Sequence, residues 1–294
     1  MTLSPHPVDH LVLPTAGIFA ARERLGKLGF TVAPDARHPF GTENACVFFS
    51  DQTYLEPLGV FDRAAAEASA KDGNVFTARD QAFRFRCGED GFGGVALGTE
   101  DAAADHGYFR RRGMSAGDML NFSRPVRLSD GSTSTASFRL AFAGDLRAPD
   151  FLGFCCQRID PLPADRSSLE THGNGVAGIK EIVLSAHEPA AFGAFLGSLV
   201  RQHDIVRHSF GIHVATANMR ICVLDPEGME AFFELPVPEV EHGLRGRAIV
   251  FRVSDIAVTE ALLAANSVTY TRKNNRILTR AAPGQGALFA FEES

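Results

Sequence analysis

One pattern recurs four times along the 294 residues and limits the possible folds more than any single motif: a short apolar strand, a turn, a helix, then two or three further strands. The first copy opens with VDHLVL (8–13). A helix follows whose apolar positions Ile18, Ala21, Leu25 and Leu28 keep the 3.6-residue period and stop at Gly29, a residue suited to a left-handed cap. FTVAP, NACVFFS and TYLEPLG supply its later strands. The second copy opens with GGVALG, with Thr99 as helix cap, Ala102, His106 and Phe109 on one helical face, and Gly113 as the stop. Its strands fall near RPVRL, ASFRLAF and LGFCCQR.

The third copy begins IKEIVLSA, carries Pro189 in a first helical turn and shows an apolar stripe of Phe192, Phe195, Leu196 and Leu199. Strands are expected around IHVAT, RICVL and AFFELP. The fourth begins RAIVFRV, with Asp255 as cap, Leu262 on the helix and Asn266 in the left-handed role that glycine fills earlier. VTYTR, RILTR and ALFAFEE complete it. Four β-α-β-β-β modules give an α+β fold, and the helical stripes are core positions. IDPLPADRSSLETHGNG (159–175) is rich in turn formers, which sets the expected boundary between domains 1–160 and 175–294.

With 45% hydrophobic residues there is material for a sizeable core. The net charge of −6 and the scattered Lys and Arg, clustered only at Arg110, Arg111 and Arg112, argue against a nucleic-acid partner. No run approaches the roughly 18 apolar residues that span a bilayer, and the N-terminus lacks a basic segment followed by an apolar one. A cytoplasmic protein without a membrane partner is expected. The five cysteines (Cys46, Cys87, Cys155, Cys156 and Cys222) are odd in number and form no C-x-x-C pair, which suits reduced thiols. GNGVAG (173–178) and GFGGVA (91–96) match dinucleotide fingerprints in letters only; both lead into strands rather than helices, so no nucleotide cofactor is expected.

VDHLVL and TYLEPLG each carry one polar group among apolar residues. Strand alternation puts His10 on a face with Val8 and Val12, and Glu56 with Tyr54 and Leu58. A buried carboxylate needs a partner, so Glu56 should be paired, hydrogen-bonded or bound to a metal.

VDHLVL, HPFGTENACVFF (38–49), TYLEPLG and THGNGVAGIKEIVL (171–184) resemble motifs of the glyoxalase-like branch of the vicinal oxygen chelate superfamily. The resemblance implies paired modules forming a curved, partly open sheet with helices on the convex side and a ligand cavity on the concave side. It also implies that the first and last strands of a module each present a metal ligand, positions on which His10 and Glu56 fall. The ion would be one divalent metal: Fe, Mn, Zn or Ni. Relatives end the last strand of module two in Gln-His, whereas here Gln157 precedes Arg158, which cannot ligate. His38 and His172 remain as third ligands, and Arg158 would pair with Glu56 or clamp an anion. In the third module Glu181 and Glu234 take the comparable positions.

The implied function is a metal-assisted lyase or isomerase acting on a small oxygen-chelating substrate. Glu56 doubles as base, and Tyr54, His38, Arg158, Phe48 and Gln157 contact the substrate. Two alternatives stand beside it. One is extradiol-type ring cleavage; the other is a metal-free, resistance-type protein that sequesters a planar or anionic compound between Phe48, Tyr54 and Phe85. The C-terminal half is expected to have lost its site and to serve as a packing or dimerisation surface, in a monomer or homodimer.

Overall fold

The computed structural model describes residues 4–127, 133–159 and 167–293. The first module comprises β1 (Val8–Pro14), α1 (Ile18–Lys27), β2 (Ala36–Arg37), β3 (Thr42–Asn44), β4 (Val47–Phe48) and β5 (Tyr54–Val60). A helical hairpin follows, α2 (Arg63–Lys71) and α3 (Val75–Cys87), for which the repeat has no place. Its starts are locally encoded: Asp62 accepts from the Ala65 amide, and Asn74 from those of Phe76 and Thr77. The second module is β6 (Gly94–Gly98), α4 (Ala102–Arg111), β7 (Leu120–Arg127), β8 (Thr133–Ala143) and β9 (Leu152–Arg158).

The C-terminal half runs β10 (Val176–Ser185), α5 (Gly193–Val200), β11 (Ile205–His208), β12 (Gly211–Ala215), β13 (Arg220–Leu224), α6 (Pro226–Phe233) and β14 (Arg245–Val253). It ends with α7 (Ile256–Ala265), β15 (Thr271–Lys273), β16 (Arg276–Thr279) and β17 (Leu288–Glu293). The strand orders are β2-β3-β5-β1-β6-β9-β8-β7, with β4 also on β5, and β11-β12-β13-β10-β14-β17-β16-β15. Both sheets share one plan. The opening strands of two modules lie side by side, antiparallel, and each runs parallel to its own module's last strand.

Most caps and stops follow the sequence. Gly29 (φ 87°) and Gly113 (φ 67°) adopt the left-handed conformation after α1 and α4, and Asp255 accepts from the Ala257 amide at the start of α7. Three details differ. Asp101 caps α4, while the Thr99 hydroxyl donates to Asp105; Ser267 rather than Asn266 turns left-handed; FTVAP lies outside any strand.

One face of each sheet packs on helices in a common core, where Leu11, Val95, Ile182 and Phe251 meet Leu25 of α1, Phe109 of α4, Leu196 of α5 and Leu263 of α7. The opposite, concave faces diverge. In the N-terminal sheet Val12, Leu58, Ala96, Phe142 and Phe154 are covered at one end by Val75 and Phe76 of α3. In the C-terminal sheet Met229 and Phe233 of α6 sit on Val183, Leu224, Ala248, Val250 and Leu278.

AFFELP is therefore not a strand. Asp225 accepts from the Gly228 amide with Pro226 in the first turn, and Met229 and Phe233, one helical turn apart, cover the sheet. Glu234 caps this helix with φ 51°, so it has no counterpart role to Glu56. The register supplies the true counterparts. His10 opposite Tyr54 and Glu181 opposite Arg220 open the two parallel ladders, and two residues on stand Glu56 and Cys222. Glu181 binds Arg220 at 2.5 Å, and Glu292 binds both Lys180 (2.5 Å) and Arg276 (2.7 Å). The C-terminal sheet's inner face is thus filled and its acidic groups paired. Among the described residues no helix is long and apolar enough to cross a membrane.

Candidate functional site

The concave face of the N-terminal sheet holds a cavity of roughly 630 Å³, open mouth included, lined on one side by His10, His38, Asn44, Tyr54 and Glu56. Phe40, Phe48, Phe76, Phe122, Phe138 and Phe154 supply the apolar wall, and Arg124 and Arg158 enter it. These side chains come from β1, β3, β4, β5, β7, β8, β9, α3 and the loop before β3.

A β-bulge shapes the polar wall. Val8 pairs with Leu97 and His10 with Ala96, so Asp9 is an extra residue in the ladder. The bulge sends Val8 into the common core, leaves His10 on the cavity side and brings the Asp9 carboxylate beside it. His10 Nδ1 donates to Asp9 Oδ2 at 2.7 Å. Arg158 donates to both Asp9 oxygens, at 2.7 and 2.8 Å, in a forked pair. Asn218, in the turn before β13, brackets the bulge from outside. Its Oδ1 accepts from the Val8 amide at 2.9 Å and its Nδ2 donates to the Val8 carbonyl at 2.8 Å.

With Nδ1 committed, His10 Nε2 faces Glu56 Oε2 at 3.3 Å, and its ring stacks on Tyr54 at 4.4 Å. Glu56 Oε1 accepts from Asn44 Nδ2 at 2.6 Å and lies 3.7 Å from His38 Nε2. His38 Nδ1 is 2.8 Å from the Thr42 hydroxyl. His10 is 4% and Glu56 6% exposed, so these contacts act in a medium of low polarity.

Burial alone would raise the Glu56 pKa, but the His10 hydrogen bond and charge, His38 and the Asn44 amide outweigh it and bring it down to about 2. Burial likewise works against charge on His10, yet the hydrogen bonds and charges of Asp9 and Glu56 prevail and hold its pKa above the usual value. His38 is lowered to about 4, by burial first and then by the Arg124 and His10 charges against the opposing pull of Glu56. At neutral pH the wall therefore presents the neutral His38 imidazole, the Glu56 carboxylate, His10 and the Asp9 carboxylate in a row, with the two carboxylates favouring the proton on His10 between them.

As donors, this set suits a divalent ion. One imidazole has its far nitrogen fixed by a carboxylate, the usual support of a metal-bound histidine, and the neighbouring carboxylate has a second imidazole against it. The donors are strung along Glu56 rather than gathered round a point. Among the described residues the one trio of His, Cys, Asp and Glu close enough to surround a single ion is His6, Asp105 and Cys155. There Asp105 already accepts from Thr99 (2.6 Å), Arg201 (2.6 Å) and His6 (3.0 Å), which makes it a tie between the N-terminal arm, α4 and the end of α5.

The structure places Tyr54, Phe48, His38 and Arg158 on the cavity with His10 and Glu56. Four expectations are corrected. Gln157 points to the other face of β9, where its Oε1 accepts from the Ala102 amide and its Nε2 donates to the Glu100 carbonyl at the start of α4. His172 accepts from the Thr31 amide through Nδ1 and donates to the Phe48 carbonyl through Nε2, outside the cavity. Phe85 projects from α3 and is 91% exposed. Arg158 pairs with Asp9, not Glu56. Asp9, Asn44, Phe76 and Arg124 went unremarked in the sequence, although Asp9 and Asn44 lie inside the two motifs that flagged the site.

Paired β-α-β-β-β modules sharing a curved mixed sheet, with a concave cavity between an opening-strand histidine and a last-strand glutamate, define the vicinal oxygen chelate class of fold. A family model described as a glyoxalase-like domain matches residues 8–200, and the chain belongs to that family. Comparison with curated proteins returns no match. Among solved structures, a hypothetical protein from Staphylococcus aureus superposes with a TM-score of 0.68 at 12% identity, covering 98% of this chain and 99% of its own. A mutant of 4-hydroxymandelate synthase from Streptomyces coelicolor gives 0.63 at 13% identity, covering 99% and 93%. The Mn(II)-bound glyoxalase from Novosphingobium aromaticivorans gives 0.54 at 10% identity, covering 99% and 83%. At such identities the likeness is one of fold.

Proposed function

We propose that the chain is an enzyme of the isomerase or lyase kind, acting on a small substrate that offers adjacent oxygens to His10 and Glu56. One observation carries this reading: Asp9 holds His10 Nδ1, which leaves Nε2 turned toward the cavity beside an ionised Glu56. His10 and Glu56 would hold a divalent ion, with His38 the nearest further donor; such an ion supplies Lewis acidity toward a substrate carbonyl. Glu56 is the group positioned to accept a proton from the carbon next to that carbonyl. Asn44 steadies its other oxygen, and Tyr54 and Asp9 keep the imidazole from turning away. The phenylalanine wall keeps water from the transferred proton.

Calorimetric titration of Mn²⁺ and Zn²⁺ into the wild type and the His10→Ala and Glu56→Gln variants tests the reading. The expected outcome is one ion per wild-type chain and none in either variant. A wild type that takes up neither ion, or variants that bind as well as it does, would overturn it. A second reading, metal-free sequestration of a planar or anionic compound, draws support from the aromatic wall and the two arginines; recovery of an unaltered ligand from the purified chain would select it. Oxygen-dependent turnover with Fe(II) would select ring cleavage instead.

A further inference from the structure

We infer that the ligand of this cavity is a small planar anion, and that Arg124 receives its charge. The inference rests on the reading that the His10–Glu56 cavity is the ligand site. It follows from the charges along the wall. Arg158 has both terminal nitrogens on Asp9, so its charge is matched and its fork is occupied. His10 lies between Asp9 and Glu56. Arg124 is left over: it lines the same cavity, makes no ion pair among the described residues, and its Nε is buried without a partner. Arg124 is half-buried and has no counter-ion among the described residues, and an incoming anion would supply one.

The surroundings of Arg124 specify the rest of the ligand. Phe122, two residues earlier on β7, shares its face, and Phe138 lies opposite on β8. Phe122 and Phe138 stack at 5.1 Å, Phe40 meets Phe122 edge-on at 5.2 Å, and the Arg124 guanidinium carbon is 5.9 Å from the Phe138 ring. These rings flank a flat apolar body while the guanidinium forks onto a carboxylate at its edge. An aryl carboxylate meets both demands; a neutral aliphatic meets neither.

Benzoate and its neutral isostere benzamide separate the two contributions. Calorimetry on the wild type is expected to show benzoate favoured by roughly ten- to a hundredfold, the range of a charge-assisted hydrogen bond. Arg124→Gln should erase that preference while leaving benzamide affinity unchanged, and Arg124→Lys should restore part of it. Arg158→Gln should lower the melting temperature and leave the preference in place. His10→Ala is expected to keep the benzoate preference, so failure of the proposed chemistry and failure of the anion site read out separately. Equal wild-type affinities, binding of neither compound, or a preference that survives Arg124→Gln would each overturn the inference.

Discussion

Replacing Asp9 by Asn tests whether the bulge and its carboxylate organise the site. The carboxylate accepts three hydrogen bonds, one from His10 and two from Arg158. An amide of the same shape leaves Arg158 without its counter-ion and gives His10 a weaker acceptor. Breaking a fully buried pair costs about 3–5 kcal/mol, but the Arg158 side chain is 37% exposed and water compensates part of the loss, leaving about 2–3 kcal/mol. For a chain of this size that lowers the melting temperature by about 3–5 °C. Thermal and urea melts measure it, and an NMR titration should show the His10 pKa falling, because the Asp9 hydrogen bond and charge help to hold it up. Adding Arg158→Gln to Asp9→Asn should cost less than the sum of the two single changes, since the second removes a charge the first has orphaned. A variant within about 0.5 kcal/mol of wild type, with the His10 titration unmoved, refutes the reasoning.

Phe233→Ala should cost about 3–5 kcal/mol in urea melts, because this 1% exposed ring seals the C-terminal sheet, while metal uptake at His10 and Glu56 stays as in wild type. Gly29→Ala should cost about 2–4 kcal/mol by the same assay: its φ is 87°, and a Cβ would stand 2.7 Å from Leu262 Cδ2 and 2.9 Å from Asn174 Cβ. Burial works to raise the Asp105 pKa, but His6, Thr99 and Arg201 together hold it below its ordinary value of 3.8. Its contribution to stability is therefore complete above that value and lost as pH falls through the depressed one; Asp105→Asn should flatten the acid limb of the stability curve, and a limb identical to wild type would contradict this.

How much of this was legible in the sequence depended on the range of the signal. Alternation along β1 and β5 placed His10 and Glu56 correctly, because period-two patterning survives wherever one face is buried. The same rule misplaced Val8, since one bulged residue reverses the parity behind it and nothing in VDHLVL announces the bulge. Gln157 and Arg158 are neighbours on a strand and cannot share a face; only Arg158 turns toward the cavity. His172 is fixed by Thr31 and Phe48, partners more than a hundred residues away, which no local pattern marks. AFF reads equally as strand or helix. What decides is the Asp225-Pro226 start, together with an apolar sheet face that needs a cover. The α2–α3 hairpin is encoded locally by its caps at Asp62 and Asn74 and has no counterpart in the repeated unit.

Asn218 gives the filled C-terminal sheet a bearing on the cavity of the other sheet. By gripping Val8 through both backbone groups, the turn 216–219 acts as an outside splint on the first strand, one residue from the carboxylate that aims His10. A lobe whose own hollow is stoppered thus works as a buttress. Drift in its stopper is tolerable to the neighbouring site so long as apolar bulk is kept, whereas a change to the splinting amide is felt at an imidazole in the other sheet.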